Sequence, residues 1–398
     1  MTESRLDIAA LRAATPGCVN VAHLNNAGAS LPDNATLSRV IAHLRREAEI
    51  GGYEAAAEVA QENDDVRAAG AALLGATRDE VAIVGSDTVA FMKLLWGWVL
   101  GGNLPMGATV MVDRLTYNSH YMALLQVQRQ LSIRIEVAPA DVHCVVDVDA
   151  FRSRFELGDV MLVCGTFVGS HSGTLNPAAQ MGRVCRDAGV PYFLDACLAL
   201  GQLPCDVGLL GCDALTGTGR KWLRGPRGTG LLFARREISE RCEPPGIDGE
   251  SATWIDIDSY SLNDGARRFE EFEVPLAAQL GLGVALRQAV QLGVAHIAAR
   301  VGSLAGRLRD GLVGFAVVHD HPFRSGGIVT FSVPGIEPAA AVAAARLRGI
   351  NINTSTAPSA RLDMEPKRLD DVVRASPHYY NTEAEVDMLI DVVSGLRP

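Results

Sequence analysis

The chain has little that would bind a nucleic acid, cross a membrane or hold a structural metal. It carries 36 Lys and Arg against 46 Asp and Glu, a formal net charge of −10, and no dense basic cluster. Such a surface repels phosphate backbones, so nucleic acid is not expected as a partner. No uncharged apolar run reaches the roughly 18 residues of a helical membrane span. The most apolar stretch, Phe91 to Leu104, is broken by Lys93 and runs into Gly101-Gly102-Asn103, the pattern of a core helix and a turn. The eight cysteines contain no C-x-x-C pair and the nine histidines are scattered, so no metal site is expected. The opening Met1-Thr2-Glu3-Ser4-Arg5-Leu6-Asp7 lacks the basic-then-apolar order of a secretory signal. Reduced core cysteines in a cytoplasmic protein follow as the expectation.

What is present is a chain of 398 residues, 48% hydrophobic, long enough to bury a large core without disulfides. From about residue 65 to 235, short apolar runs alternate with helix-length segments. Val81–Val84, Thr109–Val112, Ile133–Val137, Val160–Val163, Pro191–Leu194 and Leu231–Ala234 read as strands, and Tyr121–Gln130 and Ala178–Ala188 as helices. That alternation predicts βαβ units and an α/β fold with a mostly parallel sheet covered on both faces. Residues 240–272, rich in Pro, Gly, Asp and Ser, read as a long connection, and a helical run follows from Val274 to Leu292. A large domain over 20–272 and a small α+β domain from 1–19 and 273–398 are expected.

Three segments suggest chemistry. Thr216-Gly217-Thr218-Gly219-Arg220-Lys221 follows a predicted strand (Asp213-Ala214-Leu215) and suits a Schiff-base lysine. Its glycines would admit a cofactor closely, Thr218 and Arg220 could hold a phosphate, and nearby positive charge would depress the amine pKa. Asp195 ends an apolar strand 26 residues before Lys221 (221 − 195), at the strand end where open α/β sheets bind ligands. There it could keep a pyridine nitrogen protonated, or simply cap the next helix. Gly85-Ser86-Asp87-Thr88 opens a helix, so its free amides could bind an anion or merely be capped. A dinucleotide fold fits less well, because the glycines at 217 and 219 precede a strand and bracket the approach to a lysine.

Taken in order, these residues resemble the class V aminotransferase superfamily of fold-type I enzymes, the group of cysteine desulfurases and selenocysteine lyases. The resemblance runs over most of the chain. It includes His23-Leu24-Asn25-Asn26-Ala27-Gly28, Asp87-Thr88, Tyr117, Phe167 to Pro177, Asp195, Lys221, Gly225 to Gly230 and Arg374 with its flanks. It implies pyridoxal 5′-phosphate as cofactor, held by Lys221, with Asp195 on the pyridine nitrogen and Tyr117 on the ring face. It implies Asp87, Thr88, Ser170, Thr218 and Arg220 as further cofactor contacts, and Arg374 on the substrate carboxylate. Gly228 and Thr229 would reach the phosphate of a neighbouring subunit, which implies a homodimer with shared active sites.

The departures bear on the reaction. Desulfurases carry a catalytic cysteine on a loop that is here Asn351 to Ala360 and holds none; the last cysteine of the chain is Cys242. Leu198 replaces a Gln or His that contacts the cofactor's phenolic oxygen, leaving Ser170 or another group to do so, and Arg220 replaces a His. With Asn25-Asn26-Ala27 and Glu49-Ile50-Gly51-Gly52-Tyr53-Glu54, the cysteine-free loop most resembles the C–S lyase branch. β-Elimination from an S-substituted cysteine or its sulfoxide is therefore expected, with decarboxylation, epimerisation and transamination as alternatives. Asn25, Asn26, Ala27, Tyr53 and Ser355 are the candidates for binding the amino-acid substrate beside Arg374. A non-enzymatic regulator would need an added DNA-binding module, for which the short acidic N-terminal segment leaves no room.

Overall fold

Seven short runs of buried residues assemble into one sheet in the computed structural model, which describes residues 6–396. The polar opening Met1 to Arg5 lies outside the described residues. The strands are β1 (Val81–Val84), β2 (Thr109–Val112), β3 (Arg134–Val137), β4 (Val160–Thr166), β5 (Tyr192–Asp195), β6 (Ala214–Thr218) and β7 (Gly230–Ala234). Their order is β1-β7-β6-β5-β4-β2-β3, parallel from β6 through β3, with β7 antiparallel to both its neighbours. Side chains alternate between faces, so each strand feeds two cores. Met111, Val163, Leu194, Leu215 and Leu231 meet helices Ala60–Leu74, Ala178–Ala188 and Leu276–Leu292 on one face. Val110, Leu162, Phe193, Ala214 and Leu232 meet helices Asp87–Leu100 and Asn118–Leu131 on the other. Apolar residues on both faces explain why these strands read as continuous hydrophobic runs.

One edge of this sheet gathers polar groups. Asp195 and Thr218 end β5 and β6, and Asp113 follows β2 directly. The antiparallel β7 joins the same edge, because Gly230 pairs with Thr218 on one side and with Val84 on the other. The register therefore delivers the start of helix Asp87–Leu100 to the end of the parallel strands.

A second sheet completes that edge. Strands β8 (Val317–Val318), β9 (Val329–Ser332), β10 (Asn353–Ser355) and β11 (Val372–Ala375) pair antiparallel in the order β8-β9-β11-β10. Helices Val294–Leu312, Pro338–Leu347 and Glu383–Ser394 cover it through Leu304, Leu308, Ala341 and Leu389. Near the N-terminus, Ala22–His23 pairs with Ile350–Asn351, and Asn25 bridges to Ser376. Helix Leu276–Leu292 shares its buried Leu282 and Leu286 with the main sheet's core. The segment 240–272 is more ordered than a connection. It holds a hairpin, Ala252–Asp256 with Ser259–Leu262, that leaves Trp254, Ile255 and Ile257 exposed.

Candidate active site

Lys221 and Asp195, remote in sequence, meet at the polar edge because their strands are neighbours. Both are buried, at 8% and 7% exposure. The Lys221 amine donates to Cys197 Sγ at 3.2 Å, and the Cys197 amide donates to Asp195 Oδ1 at 2.8 Å. Burial drives the Asp195 carboxyl up to about 6, helped by the charge of Asp87 and opposed by His120 and Lys221. Burial and Asp87 also push the Cys197 thiol well up.

Asp87 is placed differently from its expected role. Its carboxylate turns inward to His120, with Asp87 Oδ2 at 3.1 Å from Nε2, and a carboxylate aimed there cannot bind a phosphate. His120 Nδ1 lies 3.6 Å from Asp195 Oδ2, and the imidazole is sandwiched flat on Phe91 with ring centroids 3.9 Å apart. The backbone is what remains for an anion. Ser86 caps the helix by accepting from the Val89 amide, while the amides of Asp87 and the partly exposed Thr88 lie in the unsatisfied first turn.

The lysine loop also corrects the reading of its glycines. A Cβ on Gly217 would strike Leu200, and one on Gly219 would strike Thr229. Close packing of protein on protein, rather than approach to a cofactor, requires glycine at both. Thr218 Oγ1 donates to the Thr229 carbonyl at 3.3 Å and Thr229 Oγ1 to the Pro226 carbonyl at 2.7 Å, so both hydroxyls are spent inside the fold. Gly228 is exposed, with a left-handed φ of 78°. Arg220 reaches the Gly28 carbonyl and stands beside Arg374. Leu198 is a core residue, 4% exposed, with nothing to offer a phenolic oxygen.

On the facing sheet, Arg374 donates through Nη1 to the Ser170 carbonyl at 2.8 Å, while its buried Nε has no partner among the described residues. That leaves the Nε–Nη2 edge, the side that grips a carboxylate with two parallel bonds. Burial lowers the guanidinium to about 10, with Tyr117 opposing and Arg220 adding to the fall. Tyr117 itself is half-buried just ahead of helix Asn118–Leu131, edge-on to His120. Asn353 faces Arg374 across the β10–β11 pair, and Ser355, 5% exposed, contacts His171 Nδ1 at 3.3 Å. Burial holds the His171 imidazole down at about 4, hence neutral, and its Nε2 has no partner among the described residues.

The N-terminal candidates separate. Asn25 Oδ1 is buried without a partner among the described residues. Asn26 is consumed by the fold, donating to the Ser376 carbonyl at 2.7 Å and accepting from Tyr380 at 2.5 Å, and the Ala27 amide donates to Ser376 Oγ at 2.9 Å. Tyr53 is 79% exposed and lines a cavity of about 790 Å³ with Arg67, Glu250 and Phe272, apart from the lysine. The one H-x-H pair, His319 and His321, is split: His319 contacts Ser332, and His321 accepts from the Phe323 and Arg324 amides. His120, Cys197 and His171 were not picked out from sequence. His120 could have been, since it shares the buried stripe of Ala123, Leu124 and Val127, and a buried imidazole needs partners.

A buried amine, a buried carboxylate, a free helix N-terminus and an unpaired arginine edge together suit a pyridine ring bearing a phosphate and an amino acid beside it. Comparison with known proteins identifies the family. A relative from Mycobacterium tuberculosis (strain CDC 1551 / Oshkosh), named "probable hercynylcysteine sulfoxide lyase", is 31% identical over 392 residues, covering 96% of this chain and 91% of that protein. A "probable cysteine desulfurase" of Methanothermobacter thermautotrophicus is 25% identical, over 85% of this chain and 84% of its own length. Among solved structures, a cysteine desulfurase from Thermococcus onnurineus NA1 superposes with a TM-score of 0.90 at 22% identity over 100% of both chains. A cystine C–S lyase complexed with cysteine persulfide superposes at 0.85 and 19% identity, over 96% of this chain and 100% of its own. The family model for aminotransferase class-V matches residues 22–389, and the chain belongs to that family of pyridoxal 5′-phosphate enzymes.

Proposed function

We propose that the chain is a carbon–sulfur lyase that converts an S-substituted cysteine, or its sulfoxide, and water into a thiol or sulfenate, pyruvate and ammonia. The observation that carries this reading is the strand beside Arg374. Residues 351–360 flank the arginine through the Asn353 pairing and offer only amides and hydroxyls, with no thiol to take sulfur from a substrate. The cysteine next to Lys221 is Cys197, whose thiol is buried and held protonated, and a thiol in that state is a poor nucleophile.

Pyridoxal phosphate, when bound, draws off the electron pair left at Cα. The chain's own groups then have separate tasks. Lys221 would hold the cofactor covalently, and its Nζ is the general base for the Cα proton. Asp195 would hold the pyridine nitrogen and Tyr117 would pack on the ring. The amides of Asp87 and Thr88 would hold the phosphate. Arg374 fixes the carboxylate through Nε and Nη2, which orients the Cα–H bond toward Lys221. Asn25 Oδ1, His171 Nε2 and Ser355, polar and uncharged, are positioned to read the group on sulfur.

The working form is a cytoplasmic homodimer, in which Gly228 and the exposed hairpin side chains Trp254, Ile255 and Ile257 meet a second copy. The test is product analysis on a panel of S-substituted cysteines and their sulfoxides. Pyruvate and ammonia in equal amounts with released thiol are expected. Alanine, or a persulfide on Cys197, would overturn the reading. Carbon dioxide with an aldehyde, or an inverted Cα with no bond broken, would replace it by decarboxylation or epimerisation.

A further inference from the structure

Behind Asp195 lies a chain of buried charges that the proposed reaction does not itself use. Asp87, His120 and Asp195 are 3%, 2% and 7% exposed, and they come from three elements: the helix after β1, the helix after β2, and the end of β5. Nε2 of His120 approaches one carboxylate at 3.1 Å and Nδ1 approaches the other at 3.6 Å. The Asp87 carboxylate and the Nε2 of His120 have no aligned hydrogen-bond partner among the described residues, so their 3.1 Å approach is an ion-pair contact. The other groups around them are Lys221, the Cys197 thiol and amide, Asp113 and the Thr216 hydroxyl.

A neutral imidazole offers neither carboxylate a counter-charge, whereas the protonated ring, with an N–H on each side, sets a positive charge between the two. Two carboxylates this close in a dry interior cannot both stay ionised without a cation between them. Phe91, flat against the ring, is the surface on which a delocalised cation sits well. We propose that His120, held doubly protonated by Asp87, is the positioning residue that keeps Asp195 ionised and aimed at the pyridine nitrogen. The proposal rests on the role assigned above to Asp195, and is independent of which bond the enzyme breaks.

The direction of each pKa agrees with the geometry. Burial opposes a charged His120, yet Asp87 and Asp195 raise it, and burial opposes a charged Asp87, yet His120 and Thr216 lower it. Asp195, despite His120, still sits at about 6. Without the imidazolium its main restraint is gone, and the carboxyl moves further toward its neutral form, in which it cannot hold a proton on the pyridine nitrogen.

The test uses the cofactor-loaded full chain labelled with 15N-histidine, with the His120 signal identified by its loss in His120→Gln. At pH 7.5 to 8, ~the upper end of ordinary histidine titration, both ring nitrogens of His120 should report as protonated. Asp87→Asn should convert the ring to a singly protonated, neutral form at the same pH. In parallel, the pH midpoint of the bound cofactor's visible absorption should move by about one unit or more in His120→Gln. A neutral His120 in the unaltered chain, or one indifferent to Asp87→Asn, would overturn the proposal. So would an absorption midpoint that stays put while the imidazolium is lost. Product identity plays no part in any of these readings, so a wrong lyase assignment would leave them unaffected.

Discussion

Replacing Arg374 by Lys isolates the feature on which substrate orientation depends. The guanidinium spends Nη1 on the Ser170 carbonyl and keeps the Nε–Nη2 edge for a carboxylate. Lysine retains the charge but offers a point donor in place of the fork. One of two charge-assisted bonds is then lost, each contributing about 1.5–3 kcal/mol. That corresponds to a fall of roughly 10- to 150-fold in kcat/KM. The assay is pyruvate release from an S-substituted cysteine and from its methyl ester, which removes the substrate's negative charge. The unaltered enzyme should lose activity on the ester, and Arg374→Lys should show little further loss there. A loss in Arg374→Lys that is equally large on the ester would refute the carboxylate grip.

Borohydride reduction of the loaded enzyme should place the cofactor's mass on the peptide containing Lys221, and a modified lysine elsewhere would remove the basis for the site. Cys197→Ser should retain pyruvate formation within about tenfold, equivalent to about 1.4 kcal/mol of barrier, as measured by single-substrate kinetics. A loss of several hundredfold would make the thiol a participant. Tyr380→Phe should destabilise the fold by about 1–3 kcal/mol in urea unfolding, because the Asn26 Oδ1 it serves is buried and the Leu31 amide loses its acceptor. No measurable change would mean that the Asn26–Tyr380 contact contributes nothing net.

Much of the frame was legible from local pattern. Val81–Val84 and Thr109–Val112 have the residues expected of them, since an apolar run between turn signals can be satisfied only by burial on both faces or one. Lys221 and Asp195 were legible as candidates because one follows a strand and the other ends one. The hairpin at 252–262 was not, because its apolar residues remain exposed and give no alternation against a core.

What the sequence determined by itself is the inventory: a lysine after one strand, an acid at the end of another, an arginine late in the chain, and no cysteine between 351 and 360. These follow from residue identity and spacing, which no fold can alter. Only the tertiary structure decided what each group spends itself on. Asp87 faces His120, Asn26 is bound by Tyr380 and Ser376, Thr218 and Thr229 satisfy backbone carbonyls, and Tyr53 lines a cavity that does not include Lys221. A buried polar atom takes the nearest partner that offsets its lost hydration, and that partner is set by strand order and helix packing among residues far apart in sequence.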